Sequence, residues 1–169
     1  MRKTAFWAAL IAVGGSIALA QGGAQAPAGG QGGRGGRGTF ILEQAPKDHA
    51  IPIPKEKLMQ YLKDMDAKKM QTLRMIEGGK YNVNIRRITD AETALVHPNT
   101  IDVWVVIDGA GTITTGGKLE NGKIVGGESH RLKVGDVEFI PSGLPHGVSG
   151  VEGNITWLNI RWDDDYKKE

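Results

Sequence analysis

The chain contains no cysteine. That excludes a disulfide, a cysteine-held structural zinc and a lipid attached at cysteine, and it leaves the fold to rest on its core alone, even in an oxidising compartment. Charge of one sign is also lacking: 21 basic residues face 19 acidic ones. Without Arg2 and Lys3 the balance is even, so nothing electrostatic points to nucleic acid as a partner. No Ser-His-Asp spacing and no phosphate-cradling glycine loop occurs, which removes support for acyl transfer and nucleotide use. There is no βαβ rhythm and no internal repeat.

Long hydrophobic runs are absent too, with one partial exception at the start. Arg2 and Lys3 precede a stretch of apolar and small residues that ends in Ala18-Leu19-Ala20, a small-x-small cleavage pattern. Gly14 and Gly15 interrupt it, and it falls short of the roughly 20 apolar residues of a membrane span. The expectation is a signal peptide over 1–20, export to the periplasm or beyond, and no stable membrane insertion after cleavage. Residues 21–38 form a Gly/Gln/Ala tract with little to bury, which reads as a disordered linker. One folded domain is then expected over 39–169.

Within that domain Pro52 and Pro54 precede Leu58, Tyr61, Leu62 and Met65, which recur at helical spacing over Lys55 to Asp66. From Gln71 onward the pattern is that of strands: Thr72 to Ile76, Tyr81 to Ile88, Ala94 to His97, Ile101 to Ile107, and Gly111 to Thr115. A hairpin turns at Asn121-Gly122, a dipeptide that favours mirror-image turns. Further strands are expected at Ser129 to Val134, Val137 to Ile140, Gly147 to Val151 and Ile155 to Trp162. Short strands punctuated by Gly, Pro and Asn indicate an all-β double sheet or barrel with one N-terminal helix.

Strand alternation brings chemistry-bearing residues together. If Pro98-Asn99 is the centre of a two-residue turn, Leu95, His97, Asp102, Trp104 and Val106 share one face of a hairpin, with His97 and Asp102 as diagonal neighbours. Further on, Gly135-Asp136 reads as a tight turn, Val137 to Ile140 as a strand, and Pro141-Ser142-Gly143 as a second turn that delivers His146 inward. Two imidazoles and a carboxylate on a rigid sheet make a facial metal site with open positions. Asp102 is either the third ligand or the group that orients an imidazole or a bound water. His130 and His49 are candidate additional ligands, although a solvated or hydrogen-bonded structural role is the preferred reading of each. Trp104, Arg86 and Trp157 are the expected pocket residues, with Gln71, Asn82 and Asn84 as further lining by alternation. Asn159 and Arg161 share the face of Trp157 and mark either a pocket wall or an interface.

The run from Gly135 through Pro141-Ser142-Gly143 to His146 resembles the second sequence motif of the cupin family, departing only where Gly150 replaces the final Asn. His97, Asp102 and Gly109 match the second His, the acid and the glycine of the first cupin motif. Leu95 stands in place of its first His and Thr89 in place of its leading glycine. The resemblance runs from about Gly79 to Trp162. It implies a cupin-type double-stranded β-helix, or jelly-roll barrel, and a divalent metal held by His97, His146 and Asp102. It also implies oxidative, isomerising or eliminating chemistry on a small-molecule or carbohydrate-type substrate. With spare coordination positions, copper, iron or manganese suits the site better than zinc. The leading expectation is a secreted, metal-dependent oxidoreductase, which as a copper enzyme extends to oxidative polysaccharide cleavage. The alternative is a non-catalytic module that binds a sugar or small polar ligand. A small cupin with a leading arm and helix also resembles a homodimer whose partner covers its edge strands.

Overall fold

The computed structural model describes residues 40–165. The signal peptide and linker expected over 1–38 lie outside them. Strands dominate, joined by one helix among the described residues. The elements are β1 (Phe40–Gln44), α1 (Lys55–Ala67), β2 (Thr72–Glu77), β3 (Tyr81–Ile88), β4 (Thr100–Thr115), β5 (Lys118–Glu120), β6 (Lys123–Val125), β7 (Glu128–Lys133), β8 (Val137–Ile140) and β9 (His146–Asp163). No helix among the described residues is long and apolar enough to cross a membrane.

The main sheet runs β1-β2-β3-β9-β4-β7, with β8 also on β4, and β5 and β6 form a separate hairpin. Its tip is Asn121-Gly122, both with positive φ, as the mirror-image turn requires. The helix begins after Pro54, whose extended conformation sets the N-terminal boundary, and stops at Lys68-Lys69, where φ of Lys69 turns to 52°.

Two expected strand pairs prove to be single long strands. Ile101 to Ile107 and Gly111 to Thr115 belong to β4, and Gly147 to Val151 and Ile155 to Trp162 belong to β9. The intervening residues make bulges: the β4–β9 register shifts between Val106 and Asp108, between Gly109 and Gly111, and between Thr112 and Ile113. Gly109 has φ 72°, and a Cβ there would sit 1.9 Å from the Asn154 carbonyl oxygen, so only glycine fits the bulge.

The expected Ala94 to His97 strand is reduced to one bridge, Leu95 with His146. The residues at Pro98-Asn99 do turn, but no hairpin ladder follows. Both edges of β4 are already taken at this level, since Asp102 pairs with Arg161 of β9 and with Ile140 of β8. Leu95 is 40% exposed and so is not enclosed with Asp102 and Trp104 as a shared hairpin face implied.

Alternation along β4 splits the core in two. On one face Trp104 and Val106 join Ile88, Ile113, Leu132, Ile140, Val148, Ile155 and Trp157 in one buried cluster. On the other, α1 lays Leu62 and Met65 over Leu73, Met75 and Ile85. The helix is thus fixed by core packing, as its apolar spacing predicts.

Candidate metal centre

Four side chains converge on the first of these faces, and sheet register explains two of them. Asp102 and Arg161 are direct cross-strand partners, so their side chains leave the sheet on the same side. The Arg161 fork closes on the Asp102 carboxylate, Nε to Oδ1 and Nη2 to Oδ2. His146 opens β9, and its backbone exchanges two hydrogen bonds with Leu95, each 3.0 Å. The Pro141-Ser142-Gly143 turn contributes twice. It delivers the chain to His146, and the Gly143 N–H donates to the His97 carbonyl at 2.8 Å, tying down the segment that carries His97.

The ligand atoms of His97, Asp102 and His146 lie within 4.8 Å of one another. Asp102 Oδ2 is 3.7 Å from His97 Nε2 and 3.5 Å from His146 Nε2. Asp102 and His146 form a buried floor, whereas His97 and Arg161 retain about a quarter of their side-chain exposure and frame the open side.

Hydrogen bonding fixes one nitrogen of each ring. His146 Nδ1 lies 2.9 Å from the Leu144 carbonyl, an acceptor, so Nδ1 carries a hydrogen, and Nε2 is the ring nitrogen turned toward Asp102. That buried Nε2 has no hydrogen-bond partner. A guanidinium N–H can only donate, so the 2.7 Å contact of Arg161 Nη2 with His97 Nε2 makes Nε2 the lone-pair atom of His97. The His97 pKa is lowered from 6.5 to about 4. Burial is the largest cause and the Arg161 charge the next; Asp102 opposes them and His146 adds to them. Burial by itself would raise the Asp102 carboxyl, but His146, Arg161 and His97 outweigh it and hold the group below its ordinary range.

The donor set fits a divalent transition metal. A carboxylate oxygen and a buried imidazole nitrogen without a hydrogen-bond partner face each other across 3.5 Å. His146 is oriented from behind by a backbone carbonyl, the usual support of a metal-binding imidazole. Arg161 holds two of the same donor atoms, so a metal bound to all three residues requires its guanidinium to move.

The remaining candidates fall elsewhere. His130 pairs with Glu138 at 2.8 Å and His49 with Asp48 at 2.8 Å; neither joins the cluster. His49 instead lines a groove of about 330 Å³ with Ile51, Tyr81 and Val83. Trp104 does wall the site, its ring edge-on to His146 at 5.9 Å. Trp157 stands behind it at 4.6 Å and is wholly buried, so it supports Trp104 and offers no surface to a ligand. Arg86 lies 6.0 Å over the Trp157 ring and bonds Glu92 and Thr72, turned away to a separate polar group. Asn84 is buried and bonds Asn82 and the Asn159 carbonyl. A cavity of about 300 Å³ beside the β5–β6 hairpin is lined by Glu92, Thr114, Lys123 and Ser149 and contains none of the three candidate ligands.

Arg161 is the residue that strand alternation placed on the correct face without assigning it a role. Its partner lies 59 residues away in sequence, and only the β4–β9 register brings the two together.

No family model and no curated protein matches the chain. Solved structures do. An uncharacterized conserved protein with a double-stranded β-helix domain from Klebsiella pneumoniae is 19% identical over 56% of this chain and 77% of its own, with a TM-score of 0.46. A cupin protein from Bacteroides fragilis is 16% identical over 54% and 73%, with a TM-score of 0.42. The DMSP lyase of Ruegeria pomeroyi is 18% identical over 58% of this chain and 48% of its own, with a TM-score of 0.44. The similar structures include cupin and double-stranded β-helix proteins. The likeness is one of fold.

Proposed function

We propose that the chain is a metal-dependent enzyme of cupin type, with one copper, iron or manganese ion held by His97, His146 and Asp102. The carrying observation is the buried, unpartnered Nε2 of His146 facing the Asp102 carboxylate. When bound, such an ion supplies Lewis acidity or redox capacity. Three protein donors leave coordination positions open, which suits a reactive centre better than a closed structural one and supports the oxidoreductase reading. The chain's own residues prepare the site. His97 stays neutral well into acid, His146 is held by the Leu144 carbonyl, and Trp104 packs edge-on against the His146 ring. The substrate in this reading is a small polar or carbohydrate-type molecule that reaches the site past the part-exposed His97 and Arg161.

Elemental analysis of purified protein tests this reading. Wild type is expected to retain close to one transition metal per chain, and His146→Ala and His97→Ala to lose it; full occupancy in both variants would overturn the assignment. One observation favours a second reading. Because Arg161 already pairs with Asp102 and His97, the same pocket could serve as a metal-free module for a small polar ligand. Ligand affinity indifferent to chelator would identify it.

We further propose export with removal of residues 1–20, which N-terminal sequencing checks, and a homodimer. Supporting the latter, apolar residues continue beyond α1 on the outer sheet face to exposed Val137 and Phe139 of β8. Light scattering that finds only monomer would refute the dimer.

A further inference from the structure

Resting on the metal reading above, the position of Arg161 carries a more specific consequence. The guanidinium grips both carboxylate oxygens of Asp102 and donates to His97 Nε2, so it occupies donors of two of the three candidate ligands. A cation that takes those donors must displace it. The displaced group keeps its positive charge, because arginine does not lose its proton in proteins. Its cross-strand neighbour on the other side is Asn82, and Asn82 Oδ1 already accepts from Asn84 Nδ2 at 2.6 Å. What the fork loses is a bidentate carboxylate partner, and its side chain keeps about a quarter of its exposure, so a solute can reach it.

We propose that Arg161 is a metal-displaced recognition residue: it substitutes for the ion in the empty site and, once released, binds the carboxylate of an anionic substrate beside the metal. The substrate class is therefore a small carboxylic acid. Metal and carboxylate are coupled, each tightening the other's binding by the same factor, since both act on one guanidinium. Arg161 also sets the order of events. The empty protein keeps its fork engaged with Asp102 and binds carboxylates poorly.

Cobalt(II) and acetate are the probes, titrated by calorimetry into chelator-stripped full-length protein, with the cobalt spectrum as a second readout. Arg161→Gln removes the competing charge and is expected to bind cobalt(II) about tenfold or more tightly than wild type. In wild type, acetate is expected to tighten cobalt binding, and in Arg161→Gln that enhancement is expected to fall to the share due to acetate touching the ion directly. Arg161→Lys keeps the charge but loses the fork; intermediate cobalt affinity is expected, and it keeps the test decisive if the Gln variant does not fold. Unchanged or weaker cobalt binding in both variants overturns the displacement, and undiminished acetate coupling in both overturns carboxylate recognition. If neither wild type nor either variant binds cobalt, the metal reading beneath this proposal fails instead.

Discussion

The two faces of the main sheet are built from the same strands in the same register, yet they do opposite things. Across β2, β3, β9, β4 and β8, one outer row reads Leu73, Ile85, Leu158, Val105, Val137. The next reads Ile76, Val83, Ile160, Val103, Phe139. These rows are wholly apolar. One residue along, the inner face carries Asn82, Arg161, Asp102 and Ile140 in one row, and Asn84, Asn159, Trp104 and Glu138 in another. The outer face is graded by cover alone, from fully buried Ile85 beneath α1 to 60% exposed Val137 beyond it. The inner face is graded by chemistry, from the charged site at its open end to the Trp157 cluster within. Burial of an apolar side chain needs only a lid. Burial of Asp102 needs partners, and Arg161 and the two imidazoles supply them.

The largest effects should appear where the inner face is broken. His146→Ala is expected to abolish metal retention, measured by elemental analysis, with the fold preserved by circular dichroism. Trp157→Ala, which empties the support behind Trp104, should cost about 3–5 kcal/mol in urea unfolding. Its outer counterpart, Ile85→Ala, should cost about 2–5 kcal/mol, because the helix seals that position equally well. A near-neutral result at Ile85 would show that α1 is a loose cover.

Asp102→Asn sharpens the contrast between lid and partners. It keeps the shape but removes the charge that balances Arg161, and should destabilise the metal-free protein by about 1–3 kcal/mol, since a partly buried guanidinium loses its counter-ion. Metal retention in this variant decides between ligand and support: strong loss marks Asp102 as a ligand, modest weakening marks it as an orienting group.

Acid tests the same cluster. The folded-state pKa of His97 lies near 4, below its unfolded value near 6.5. The unfolded chain therefore takes up the proton first. Stability from this group is complete above pH 6.5 and falls as pH drops from there toward 4. Metal-free His97→Gln should show a flatter stability profile across that window, followed by denaturant midpoint against pH. The Asp102 contribution, from a depressed carboxyl, should be lost only at lower pH.

The smallest effect is expected at the uncovered end of the outer face. Phe139→Ser should change the stability of the isolated chain by no more than about 0.5 kcal/mol, because the side chain is 58% exposed. A dimer that buries this row would instead weaken measurably in light scattering, which separates an idle surface from an interface.

Local patterns determined much of this protein from the sequence alone. Pro54 and the apolar spacing after it set the helix, the alternation of Thr72 to Ile88 set β2 and β3, and Asn121-Gly122 set its hairpin, since each depends on neighbours within a few residues. The turn ahead of His146 and the parity of Asp102 with Trp104 were legible for the same reason. Tertiary structure decided what lies between distant segments. Bulges at Gly109 and along β9 turned expected strand pairs into continuous strands, because a glycine with positive φ serves a bulge as well as a turn. The hairpin imagined across Pro98-Asn99 lost its ladder to β8 and β9, which compete for the same edges of β4. Most consequentially, the β4–β9 register set Arg161 against Asp102 and His97, and no local pattern encodes a partner 59 residues away.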